Sequence, residues 1–253
     1  MKRWTFYEEE WIHLGKFTEF TGRFFKEIGW RDLDGKELLK QCYELGYRSL
    51  PLVSLTGFIM GWVLTLQSRP AMAKFGAESW IPNMVGLSLV REIAPVITAL
   101  ICAGRISSGI GAELGSMRVT EQIDAMEVGA IQPYGYLVVT RTLATTIMLP
   151  ILVLYADGIG LLGGFLGINH HNEITLHHYF RQVFDSLAFS DVIPAVIKTF
   201  FFGFFIGMVG CFKGFHASSG TESVGKAANQ AVVAASLSIF LIDLIAVQLT
   251  DLL

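Results

Sequence analysis

The residues best placed to do chemistry in this chain are charges set in otherwise apolar sequence. Arg91 and Glu92 stand side by side, three to four residues before Pro95, and Asp157, Lys198 and Asp243 each stand alone in a long uncharged run. A charge at mid-bilayer depth costs roughly 2.5–3.5 kcal/mol on insertion scales, so it faces protein or a wet cavity. Two readings of Arg91-Glu92 follow: a structural pair that neutralises itself, or a polar spot in a cavity that meets a charged headgroup. Asp157, Lys198 and Asp243 are expected to pair across helices, and no separate role is assigned to any of them.

A second feature lies between two apolar stretches. Glu113–Ala130 (ELGSMRVTEQIDAMEVGA) predicts one helix, with Val119, Ile123, Met126 and Ala130 forming an apolar stripe. Glu113, Thr120, Glu121, Asp124 and Glu127 gather on the opposite side as an acidic face. Anionic lipid headgroups attract basic faces, so an acidic one points to a protein partner.

Three tempting motifs fail. Gly220-Thr221-Glu222-Ser223-Val224-Gly225-Lys226-Ala227 nearly spells a phosphate-binding loop, but Ala227 stands where a hydroxyl should reach Mg²⁺, and no buried strand precedes it. The segment His170-His171-Asn172-Glu173-Ile174-Thr175-Leu176-His177-His178 is rich in imidazole but matches no zinc spacing of proven specificity, and it is expected to be a solvated loop without metal. Ser107-Ser108-Gly109 lacks the frame of a hydrolase nucleophile. The three cysteines, Cys42, Cys102 and Cys211, read as reduced packing residues.

The elements that position these groups follow from composition. Of 253 residues, 52% are hydrophobic and only 16% charged, against roughly 25% in soluble domains, so lipid is expected to cover much of the surface. A formal net charge of −3 argues against nucleic acid as a partner. A span needs about 20 mostly apolar residues. Ser49–Ser68, Ile81–Gly104, Thr142–Ile168, Val192–Phe212 and Ala227–Thr250 each qualify, which predicts five transmembrane helices and places the termini on opposite sides. With the N-terminus inside, nine bases in residues 1–48 join Arg105, Arg118, Arg141, Lys213 and Lys226, leaving only Arg69, Lys74 and Arg181 outside. That excess orients the chain with a cytoplasmic N-terminus.

Residues 1–47 read as an N-terminal helical region and 48–253 as the five-span unit, with spans near 48–68, 81–110, 134–167, 191–212 and 226–250. The first 30 residues lack the uninterrupted apolar core of a signal peptide. They predict an amphipathic interfacial helix, with Leu14, Phe17, Phe20, Phe24, Phe25 and Ile28 opposite Lys16, Glu19, Arg23, Lys26 and Glu27. Small residues at Ala99, Ala103, Ser107, Gly111 and Gly115, and the pairs Gly57-Gly61, Gly160-Gly164, Gly163-Gly167 and Gly203-Gly207, predict tight helix packing and offer a seam for a homodimer.

The run Leu89-Val-Arg-Glu-Ile-Ala-Pro95, then Ala103-Gly-Arg-Ile-Ser-Ser-Gly109, then Ala112 through Met126, resembles the MlaE (YrbE-like) permease family. The similarity extends through Pro133 to Arg141 and more loosely over about residues 45–250; Thr140 stands where the family pattern has proline. The resemblance implies a non-catalytic permease subunit of an MCE-type ABC transporter. Such a transporter moves phospholipids between the inner and outer membranes and so serves outer-membrane lipid asymmetry. It further implies a homodimer in the inner membrane, a cytosolic ATPase that carries the ATP and Mg²⁺, and a periplasmic MCE-domain ring facing the C-terminus. No cofactor is implied on this chain. Carried onto this sequence, a lipid cavity takes Leu64, Gln67, Met72, Phe75, Arg91, Glu92 and Ile93. The ATPase-coupling helix takes Glu113, Met117, Arg118, Glu121, Gln122, Asp124 and Glu127.

Two other classes are separable on sequence. A secondary transporter needs inverted repeats or broken helices, and five spans do not divide evenly into halves. An intramembrane lipid-modifying enzyme needs a convergent catalytic set, and none is visible.

Overall fold

A computed structural model describes residues 2–28, 35–169, 174–218 and 220–252, with side chains from residue 15 onward, Asp251 excepted. The described chain is helical without strands: α1 (Lys2–Glu27), α2 (Gly35–Tyr47), α3 (Leu50–Lys74), α4 (Glu78–Val119), α5 (Gln122–Val128), α6 (Tyr134–Ile168), α7 (Leu176–Ser186), α8 (Phe189–Phe215) and α9 (Thr221–Asp251). Five of these, α3, α4, α6, α8 and α9, are long and apolar enough to cross a membrane. They coincide with the five apolar stretches of the sequence. Each runs further than expected, because the helices continue past the hydrocarbon into polar residues. At 1.5 Å per residue the 42 residues of α4 extend ~60 Å, about twice a bilayer core.

Glycine decides where the spans touch. A Cβ on Gly61 of α3 would overlap the carbonyl of Gly160 on α6, and one on Gly163 would overlap that of Phe58. The two backbones therefore meet directly, the approach that small-xxx-small spacing permits. On α4, Ala99, Ala103 and Ser107 are fully buried, and a Cβ on Gly111 would sit 3.3 Å from Ala228 and Ala231 of α9. Gly210 of α8 packs on Ser107 in the same way. The small-residue stripe is thus filled by α8 and α9 of the same chain, and it is not an open seam for a second copy.

Three wider, π-helical turns interrupt the spans, at Leu89–Ile93, Ala103–Ser107 and Tyr134–Val139. The first precedes Pro95, which has no N–H to offer Arg91 and crowds that carbonyl. A wider turn accommodates both constraints.

α1 docks onto the bundle through aromatic residues. Phe20 and Phe24 are buried, Phe20 lies 5.4 Å from Phe212 and 4.8 Å from Tyr134, and the Tyr134 hydroxyl donates to the Phe20 carbonyl. Phe25 departs from the expected apolar face and is exposed. Cys102 and Cys211 are buried as thiols and Cys42 is half-buried; no disulfide joins them.

Candidate functional site

The charges set in apolar sequence converge at the end of the bundle where α4 and α8 begin and α9 ends. Lys198, its side chain 5% exposed, donates to Glu92 Oε2 at 2.7 Å and to Asp243 Oδ1 at 3.0 Å, so α8 is bonded to α4 and α9 at once. Arg91 Nη1 lies 3.7 Å from Asp191 Oδ1 on α8. Consecutive helical residues point in different directions. Arg91 and Glu92 therefore do not neutralise each other, and the adjacent pair suggested by the sequence is two separate cross-helix contacts. Four of the charged groups, Arg91, Glu92, Asp191 and Lys198, line a small space of about 10 Å³ bordered by Pro194, Ala195 and Ala246, and Asp243 joins them through Lys198. Asp157 stays out of this network: it is buried in α6, with Oδ1 lacking a hydrogen-bond partner.

The residues expected to wall a lipid cavity stand in three settings. Leu64, Met72 and Ile93 are half-buried against one apolar cluster with Ile81, Val85, Leu89, Tyr179 and Val183. Gln67 is exposed and Phe75, just past the end of α3, is 85% exposed. Arg91 and Glu92 line the small charged space between α4 and α8.

The expected single helix over Glu113–Ala130 is two pieces. α4 runs on to Val119 and stops where Glu121 adopts a left-handed φ of 58°. Glu121 N–H closes this turn on the Arg118 carbonyl at 3.2 Å. α5 then starts, and a second left-handed residue, Ala130, ends the segment at φ 58°. Non-glycine residues in this region are uncommon and strained, and two of them flank α5, Glu121 directly before it and Ala130 two residues after its end. Ile123 is fully buried and Met126 packs on the core, while Glu121, Gln122, Asp124, Glu127 and Val128 are exposed. Arg118 pairs with Asp124 across the turn and Met117 packs inward. Glu113 sits on α4, before the break, and accepts from the buried Arg141 guanidinium, Nη2 to Oε1 at 2.7 Å.

The end of the segment expected as a solvated loop is helical instead, because Leu176, His177 and His178 open α7. Thr175 Oγ1 accepts from His178 N–H at 3.4 Å, and Tyr179 and Val183 are fully buried at helical spacing, the signal that marks it. His177 and His178 lie exposed in its first turn, whereas His170, His171, Asn172 and Glu173 lie outside the described residues. Among the described residues no group of three His, Cys, Asp or Glu is arranged to hold a metal.

An all-α bundle with five apolar spans and buried cross-span ion pairs defines a multi-pass membrane protein. The family model described as permease MlaE matches residues 38–249. The chain belongs to the MlaE permease family, and it is an ABC transporter permease of that family. It is 38% identical to a probable ABC transporter permease protein of Rickettsia bellii over 90% of this chain and 88% of the relative. It is 34% identical to the intermembrane phospholipid transport system permease protein MlaE of Haemophilus influenzae, over 82% of this chain and 80% of the other. It is 31% identical to the chloroplastic protein trigalactosyldiacylglycerol 1 of Arabidopsis thaliana, over 87% of this chain and 61% of that one.

Proposed function

We propose that this chain is the non-catalytic permease subunit of a transporter that moves phospholipids between a bacterial inner membrane and outer membrane. A separate cytosolic ATPase binds the ATP and Mg²⁺ that drive it. The observation that carries this reading is α5. Its buried Ile123 ties it to the bundle, while Glu121, Gln122, Asp124 and Glu127 present an acidic, solvent-facing edge. A partner that grips that edge moves the ends of α4 and α6 together, which is what mechanical coupling requires. The N-terminus and α5 lie on the cytoplasmic side and the C-terminus on the periplasmic side, in keeping with the excess of bases on the α5 side.

Two copies enclose the lipid. The outward faces of α3 and α9 carry large apolar side chains, among them Leu55, Leu66, Leu237 and Leu241, and Gln67 and Phe75 stand exposed beside them. A second copy placed there completes a cavity whose wall is Leu64, Met72, Phe75 and Ile93 and whose polar end is Gln67, Arg91 and Glu92. A periplasmic ring of MCE domains receives the lipid.

The test is affinity purification of the tagged chain from its own membranes, with the ATPase and bound phosphorus assayed together. An ATPase and phospholipid retained in fixed ratio support the reading. A chain that purifies alone, without either, overturns it.

A further inference from the structure

At the opposite end of the bundle from the Lys198 cluster, α8 ends and α9 begins around a cavity of about 280 Å³. Lys16 of α1, Lys213 and His216 at the end of α8, and Lys226 in the second turn of α9 all line it, and no carboxylate does. Lys226 has a contact with Glu222 at 2.8 Å, but both side chains are largely exposed, so the pair is screened and weak. Lys16 and Lys213 have no ion-pair partner among the described residues; the Lys213 ammonium rests 5.9 Å from the Phe212 ring. That ring is held edge-on by Phe17 at 5.3 Å, beside Lys16, so docking of α1 assembles the cluster.

The setting selects the ligand. Phe212 and Ala227 add apolar surface to the lining, and Lys213 and Lys226 lie at the adjoining ends of two spans, where a span meets the headgroup layer. Gly220 holds a positive φ of 104°, and Ser223 Oγ donates to its carbonyl at 2.7 Å, fixing the turn into α9. The start of that helix and the end of α8 bring opposite partial charges to the same space, so the lysines supply its net positive character. The volume is several times the roughly 30 Å³ of a water molecule. The near phosphate-loop in the sequence falls here, and although it cannot hold a nucleotide with Mg²⁺, its lysine lines a site of anion-binding character.

We propose that this cavity binds the phosphate of an anionic phospholipid, as a fixed headgroup site separate from the lipid that is transported. Basic pockets between spans at this depth suit such headgroups. The site ties α1 to the α8–α9 turn through the lipid.

The test uses the full chain, delipidated in neutral detergent, and counts bound lipid by native mass spectrometry while following thermal unfolding. Phosphatidylglycerol, phosphatidylcholine with the same acyl chains, and inorganic phosphate are titrated separately. Phosphatidylglycerol should bind about ten-fold tighter than phosphatidylcholine, weaken as salt rises, and raise the melting temperature. Lys16→Gln and Lys213→Gln should each weaken it about five-fold, Lys16→Arg and Lys213→Arg should retain it, and Lys74→Gln at the far end of α3 should change nothing. Should the glutamine variants fail to fold, Gln230→Glu adds a negative charge to the lining without removing a contact and should lower binding equally. Equal binding of the two lipids, or unchanged phosphatidylglycerol binding in Lys16→Gln/Lys213→Gln, overturns the proposal. Inorganic phosphate binding as tightly as the lipid overturns the lipid assignment and leaves a soluble phosphate as the ligand.

Discussion

Lys198 and Glu92 meet at 2.7 Å across the interface between α8 and α4, and the same ammonium holds Asp243 of α9 at 3.0 Å. One buried cation therefore stands between two carboxylates from different spans. Removing it leaves both anions with each other for company in a poorly solvated place.

Lys198→Met should accordingly destabilise the fold by about 3 kcal/mol, toward the lower end for a broken buried pair because Glu92 is partly exposed. The triple variant Lys198→Met/Glu92→Gln/Asp243→Asn should recover most of that loss, since no net charge remains buried. Thermal unfolding of the purified protein in detergent measures both. A triple variant no more stable than the single one would mean that packing around Lys198 matters and its charge does not.

The acidic face divides into two functions. Glu113 partners the buried Arg141, so Glu113→Gln should lower stability by about 1–3 kcal/mol. Glu121 and Glu127 are exposed and make no ion pair among the described residues, and Glu121→Lys/Glu127→Lys should leave the melting temperature unchanged while reducing the ATPase recovered in a pull-down. The two measurements made on the same preparations separate the roles. Full ATPase recovery in the double variant would remove α5 as the coupling element.

How much of this is legible in the sequence depends on the physics behind each element. The spans are legible because uncharged runs such as Ser49–Ser68 have one stable solution in lipid. The small residues of α4 announce close packing, but the sequence does not say whether the neighbour is another span or another chain, and here Gly111 faces Ala228 and Ala231. The break at Glu121 is hidden because a left-handed backbone usually declares itself by glycine or asparagine, and this one falls on glutamate. The partners of Lys198 are hidden for another reason: Glu92, Asp157 and Asp243 are equivalent candidates along the chain, and only the packing of α4, α8 and α9 chooses two of them. Asp191, which takes Arg91, gives no signal at all beyond its place at the start of a span.

Gly61 tests the α3–α6 crossing. Any side chain there meets the Gly160 carbonyl, so Gly61→Ala should push the two helices apart and cost about 1–3 kcal/mol, while Gly158→Ala, where open space surrounds the Cβ, should be neutral or slightly stabilising. Melting temperatures of the two variants check the contrast. Equal effects would argue that the crossing tolerates a wider approach.

The placement of the lipid wall is tested by polarity. Leu64→Asn and Ile93→Asn put an amide into a half-buried apolar cluster and should reduce co-purified phospholipid, and Arg91→Ala should do so by removing the headgroup's counter-charge. Phosphorus analysis of the purified complex reads the result. If the parent and all three variants carry the same lipid, Arg91 serves the packing of the helices, as its contact with Asp191 does, and the cavity lies elsewhere.

Tyr179 supplies a test with a definite pH sign. Its ring is fully buried on α7 between Phe165 and Phe180, and its hydroxyl has no hydrogen-bond partner. Burial pushes the phenol's pKa up from its ordinary value of about 10. A group that holds its proton more tightly when folded contributes stability that is complete below the unfolded pKa and lost as pH rises through the folded one. The parent should therefore lose stability above about pH 10, and Tyr179→Phe should lose less over the same interval. At neutral pH the phenylalanine variant should be as stable as the parent or up to about 1 kcal/mol more so, because it removes a desolvated hydroxyl without opening a cavity. Unfolding followed from pH 7 upward in both proteins decides the matter, and parallel loss of stability in the two would show that folding leaves this phenol's pKa at its ordinary value.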